Sequence, residues 1–159
     1  MQSLIIPMES YLKRRHTFAQ HMQAGIAIIP TAPERIRNRD AHYPYRFDSY
    51  FYYLSGFTEP EAVLVIVAKT DQAPERHILF CRAKDKEREI WDGYRYGPEA
   101  AKETFLLDET YPINRLDDII PTANADAISA ASKHGVLEVV IPKREAVQPK
   151  KINVASNDS

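Results

Sequence analysis

Apolar and polar positions alternate along this chain in patterns that predict a succession of helices and buried strands. Residues 9–22 place Tyr11, Leu12, Ala19 and Met22 at helical spacing, with Arg14, Arg15 and Gln20 at polar positions. That spacing predicts an amphipathic helix. Glu9 and Ser10 suit its start, and Gly25 suits its stop. Residues 26–29 are a short apolar run closed by Pro30, which predicts a strand. Residues 62–68 are apolar at every position and rich in β-branched side chains, the composition of a central strand covered on both faces. Residues 77–81 predict a second strand. The short polar link at 69–74 makes the two an antiparallel hairpin.

Between and beyond these elements the pattern is weaker. Residues 30–49 contain Pro30, Pro33 and Pro44 among charges and predict a long irregular connection. Residues 49–57 are an aromatic run ending in Gly-Phe, and residues 84–92 are charged. Gly97-Pro98 opens a helix at 98–106, because proline suits the first helical turn. Residues 113–120 predict a further helix, begun by Asn114 and ended near Pro121. Residues 123–133 favour helix, with Gly135 as terminator, and residues 136–141 predict a last strand. From residue 142 to 159 no period survives. The reading is one domain over 1–141, followed by a polar, disordered tail over 142–159. Helices interleaved with buried strands place the domain in the α/β class, a mixed β-sheet with flanking helices.

Composition narrows the function classes. The chain has 159 residues, 44% of them hydrophobic and 27% charged, which suits one globular domain with a core of its own. The net charge of −1 offers no electrostatic drive toward nucleic acid or an anionic membrane. The single cysteine, Cys81, has no internal disulfide partner. No signal peptide and no run of membrane-spanning length is present, so the reading is a cytoplasmic chain.

The aromatic run carries the strongest motif. Residues 43–57 read Tyr-Pro-Tyr-Arg-Phe-Asp-Ser-Tyr-Phe-Tyr-Tyr-Leu-Ser-Gly-Phe and hold eight of the sixteen aromatic residues. Thr58-Glu-Pro-Glu-Ala-Val-Leu-Val65 continues them. A second block, Glu89-Ile-Trp-Asp-Gly93, leads into Tyr94-Arg-Tyr-Gly97. These blocks, in this order around a hairpin, resemble the amino-terminal domain of aminopeptidase P, the Xaa-Pro aminopeptidases. The likeness runs over about residues 8–120. It implies a creatinase/aminopeptidase P amino-terminal-domain-like fold. It also implies a carboxy-terminal pita-bread domain that carries the catalysis, holds two manganese ions on Asp, His and Glu ligands, and removes the first residue of peptides with proline second. No part of these 159 residues has room for that second domain.

The residues themselves offer no catalytic constellation. His16 and His21 are five apart and do not stack on a helix face. His42, His77 and His134 are isolated in sequence, so all five histidines read as scattered surface or boundary residues, and no metal ligand set is assigned. The carboxylates of Asp117 and Asp118 diverge on a helix. Cys81, among Ile78, Leu79 and Phe80, reads as a small core residue. There is no Gly-x-Ser-x-Gly elbow and no phosphate-cradling glycine loop.

Aromatics carry the remaining candidates. The 43–57 run reads mainly as packing; as a stacking platform it would draw on Arg35, Arg37, Arg39 and Arg46. Trp91 lies in a charged, glycine-ended segment and reads as exposed. Trp91, Tyr94 and Arg95, with Arg46, are candidates for a substrate pocket or a subunit contact. The resemblance implies an assembly and substrate-gating role in a metalloaminopeptidase, without hydrolysis by this chain. The implied partners are further copies of the chain or a catalytic domain, and through it a peptide substrate. The alternatives are a free-standing interaction module or pseudo-enzyme and, more remotely, a binder using the 43–57 aromatics.

Overall fold

The computed structural model describes residues 6–39, 41–71 and 73–120, together with the backbone of 129–133 and 136–140. The predicted first helix is α1, Met8–Met22. Its amino end carries no side-chain cap; Ser10 instead donates its N–H to the Pro7 carbonyl at 3.0 Å. Its stop is Gln23, which takes φ 62°, so the helix ends two residues before Gly25.

The apolar runs become a four-stranded sheet. Strands β1 (Ile26–Pro30), β4 (Val63–Val67) and β5 (Arg76–Cys81) match the sequence reading. β1 pairs antiparallel with β4, and β4 with β5, in the predicted hairpin. The fourth strand, β6 (Glu109–Pro112), runs parallel to β5 at the edge and was not legible in the sequence. It is short and begins with the polar Glu109 and Thr110, without the alternation that marks a strand. The sheet order is β1-β4-β5-β6.

Both faces of the centre are covered. Leu64, Ile66, Leu79 and Cys81 face Ala19 of α1 and Phe51, Phe57 and Phe105. Val63, Val65, Ile78 and Phe80 face the other way, toward Tyr111, Ile113 and Leu116. That two-sided burial is why residues 62–68 are apolar throughout.

Four segments differ from expectation. The connection at 30–49 contains a small antiparallel ribbon, β2 (Ile36–Asn38) with β3 (Ala41–His42). The aromatic run folds as helix α2, Ser49–Ser55. Asp48 caps it, its Oδ1 accepting the N–H groups of Tyr50 and Phe51 at 2.9 Å each. Gly56 ends it at φ 71°, with the Tyr11 ring 3.1 Å from where a Cβ would stand. The predicted 98–106 helix is α4, Gly97–Thr104, while 113–120 divides into a 3-10 turn and the short helix α5, Leu116–Ile119. Residues 129–133, read as part of a helix, instead form strand β7 (Ser129–Lys133), antiparallel to β8 (Val136–Val140). Pairing with an apolar partner overrides the helical preference of its alanines. The 142–159 tail lies outside the described residues.

Arg15 is the other correction. It was read as a polar-face residue, yet Tyr11, Arg15 and Ala19 are the buried positions of α1. The Arg15 guanidinium donates to the carbonyls of Leu54 (3.1 Å), Phe105 (3.0 Å) and Leu106 (2.7 Å). These groups end α2 and α4, so the buried cation satisfies carbonyls that helix ends leave without partners.

Candidate substrate-facing cleft and interface

β5 leaves the core through Cys81 and the buried Arg82, and the chain then builds a projection over residues 83–96. Asp85 starts it: its Oδ1 accepts the N–H groups of Glu87 and Arg88 at 3.1 Å each, and its carbonyl accepts from Glu89 at 3.0 Å. One helical turn follows, α3 (Glu89–Asp92). Gly93 ends the turn at φ 82°, a conformation that disfavours other residues.

The return of the projection is clamped from below. Glu59 is buried; its Oε1 accepts the Tyr96 N–H at 2.7 Å, and its Oε2 meets Arg82 Nη2 at 3.4 Å. Lys84 Nζ donates to the Arg95 carbonyl at 2.6 Å, pairs with Glu89 at 2.8 Å and lies 3.9 Å from the centre of the Tyr94 ring. Arg95 is buried and pairs with Asp92 at 2.7 Å. The framework is therefore held, while its outer side chains face solvent. Trp91 is 87% exposed, Ile90 78% and Tyr94 63%. Burying a side chain of that size is worth roughly 2–3 kcal/mol.

Beneath the projection is a polar cleft of about 560 Å³. Arg88, Trp91, Asp92 and Arg95 of the projection line it together with Glu34, His42, Tyr45 and Glu61. Arg82 and Asp85 also line it. Tyr45 is fixed by its hydroxyl, which meets Thr31 Oγ1 at 2.8 Å and donates to the Ala32 carbonyl at 3.1 Å. Burial raises its pKa, so it stays a neutral phenol. Among the described residues the buried Nε atoms of Arg82 and Arg95 have no acceptor. The cleft lining carries both signs of charge, which suits binding a polar chain. Burial pushes the thiol of Cys81, next to Arg82 in sequence, up to about 12, so it keeps its proton at neutral pH.

Of the predicted site residues, Trp91 and Arg95 line the cleft together and Tyr94 flanks them under Lys84. Arg46 is exposed and is not part of the lining. Glu59, Arg82 and Asp85 escaped sequence reasoning as site residues. The signal for Glu59 was the Glu-Pro-Glu-Ala block, which marks the clamp. The histidine reading also changes. His16, His21 and His42 are exposed, but His77 is buried and meets His16 and Glu75. His134 lies outside the described residues.

Residues 11–130 match the family described as "Aminopeptidase P, N-terminal domain". The chain belongs to this family. It is 40% identical to the Xaa-Pro aminopeptidase of Escherichia coli over 113 residues, covering 70% of this chain and 25% of that protein. It is 38% identical to the Xaa-Pro aminopeptidase of Haemophilus influenzae over 117 residues, 73% of this chain and 27% of that one. Among solved structures, Pseudomonas aeruginosa aminopeptidase PepP superposes with a TM-score of 0.69 at 43% identity, over 75% of this chain and 27% of that one. E. coli aminopeptidase P with the inhibitor Pro-Leu superposes at 0.66 and 39% identity, over 69% and 25%. The chain therefore spans about a quarter of the length of the relatives it matches, and the matched quarter is the amino-terminal aminopeptidase P domain. The mixed sheet with flanking helices is that domain's fold. The catalytic domain lies outside these 159 residues.

Proposed function

We propose that this chain serves assembly and substrate gating for an Xaa-Pro aminopeptidase, which removes the amino-terminal residue from peptides with proline second. The observation that carries this reading is Trp91. It is almost fully exposed on a turn that Glu59, Lys84 and Asp92 hold in place. A large aromatic held rigid in water is set up to be buried by a partner. In this reading the projection packs at the mouth of a catalytic domain, its own or that of a neighbouring copy, in the cytoplasm. Trp91 then walls the peptide-binding space, while Arg95 and Arg82 contribute positive charge to its lining.

The two manganese ions of such an enzyme would be held in the catalytic domain. Among the described residues, His16, Glu75 and His77 are the converging donor group, and three donors with one carboxylate are too few for two ions. When bound there, the metals supply an activated water; this chain's residues would position and enclose the peptide.

The test is Trp91→Ala at the matching position of a full-length relative, assayed on a proline-containing tripeptide. We expect kcat/KM to fall about tenfold or more, or the oligomer to dissociate, with the fold intact. Unchanged kinetics with unchanged oligomer size would instead favour a free-standing interaction module.

A further inference from the structure

At the opposite end of β5 from the cleft, three metal-ligating side chains converge. Glu75 and His77 are two residues apart on extended chain and so point to the same side. That side carries Leu79 and Cys81 and is the face that packs against α1. His16, on α1, meets them there. Its ring lies edge-on to the His77 ring, with centroids 5.0 Å apart. His16 Nδ1 is 2.5 Å, and His77 Nε2 2.9 Å, from the same Glu75 Oε1. The three donor atoms all lie within 4.8 Å of one another.

The surroundings suit a metal better than a lone hydrogen-bonded cluster requires. His77 is 1% exposed, and its far nitrogen, Nδ1, faces Asp108 Oδ2 at 3.8 Å. The same Asp108 oxygen accepts the His77 backbone N–H at 2.7 Å, and Asp108 N–H returns a bond to the His77 carbonyl at 3.0 Å. Asp108 thus holds the His77 backbone, while its carboxylate lies near the ring without a hydrogen bond to it. The guanidinium of Arg15 is turned to the Leu54, Phe105 and Leu106 carbonyls. The His16 side chain is half exposed, which leaves a side open to solvent.

We infer that His16, Glu75 and His77 bind one divalent transition-metal ion of the zinc type, with water completing the coordination. Zinc holds nitrogen and oxygen ligands at about 2.0–2.2 Å, so a tetrahedral ion sets them about 3.4 Å apart. Small rotations of the exposed His16 and the partly exposed Glu75 reach that spacing around a fixed His77. Two imidazoles select zinc over the hard, oxygen-preferring magnesium and calcium. The ion would tie α1 to the start of β5. This site is independent of the cleft and of the aminopeptidase reading.

The whole chain, freed of metal, is titrated with Zn²⁺ against a chromophoric chelator, and with Co²⁺ for its visible absorption. We expect one equivalent bound at micromolar concentration, with the intense bands of low-coordinate cobalt. His16→Gln and Glu75→Gln, both at solvent-accessible positions, should each weaken zinc binding at least about tenfold. His21→Gln, an exposed histidine on the same helix, should change nothing. Zinc should raise the melting temperature of the parent chain and not that of His16→Gln. No binding, or binding equal in the parent and the His16 and Glu75 variants, overturns the site. So does equally tight binding of Mg²⁺.

Discussion

Cys81 shows how far a single side chain's behaviour depends on its surroundings. Its thiol is fully buried; burial, then the nearby Glu59 charge, raises its pKa from 9.0 to about 12, with Arg82 pulling the other way. The unfolded chain gives up this proton near pH 9, while the native chain keeps it. Above that pH the folded state binds more protons, so stability falls as pH rises from about 9 toward 12. The slope contributed is at most about 1.4 kcal/mol per pH unit. Urea unfolding at several alkaline pH values checks this. Cys81→Ala should show a shallower decline than the parent; parallel curves would refute the assignment. Arg15 makes the same point from the other sign. A cationic residue occupies a core position because three helix-end carbonyls are there to receive it. Burial lowers its pKa to about 10, which still leaves it charged at neutral pH. Nothing in its neighbours along the chain reveals those carbonyls, which lie 39 to 91 residues away.

Among the elements, α3 is the one whose form serves exposure. It is a single turn, too short to persist by itself. The Asp85 bonds and the Glu59 and Lys84 clamps hold it instead. Trp91 is the only tryptophan, so its fluorescence reports on this turn alone. Native emission should be nearly as red-shifted as that of the urea-unfolded chain, and as open to acrylamide quenching. A native spectrum clearly to the blue would contradict the exposed placement. Adding the catalytic domain of a relative should shift the emission to shorter wavelength if the projection docks there. Element legibility followed periodicity. Strands β1, β4 and β5 and helix α1 were readable because burial on defined faces writes a repeat into the sequence. β6 and β7 were not, because an edge strand and a hairpin take their conformation from a partner found elsewhere in the chain.

At the scale of the whole molecule, the proposed function assigns binding to this domain and the reaction to a catalytic one. With manganese and an Ala-Pro peptide, the chain alone should release no amino acid above the metal blank, measured by free-amine detection. Turnover would refute the division of labour proposed between this domain and a catalytic one.

The sequence by itself determined the family, the α/β class and the hairpin at the sheet's centre. Those rest on local composition, short motifs and a two-sided apolar run. It also singled out Trp91 and Arg95, because a tryptophan in a charged, glycine-ended segment has few apolar neighbours to cover it. Only the tertiary structure decided that Glu59 clamps the projection, that Arg46 stands apart, and that His16 meets Glu75 and His77. Each is a meeting of side chains far apart in the chain. Such meetings are set by the way α1 crosses the sheet and the way β5 hands on to the projection, and no local pattern encodes them.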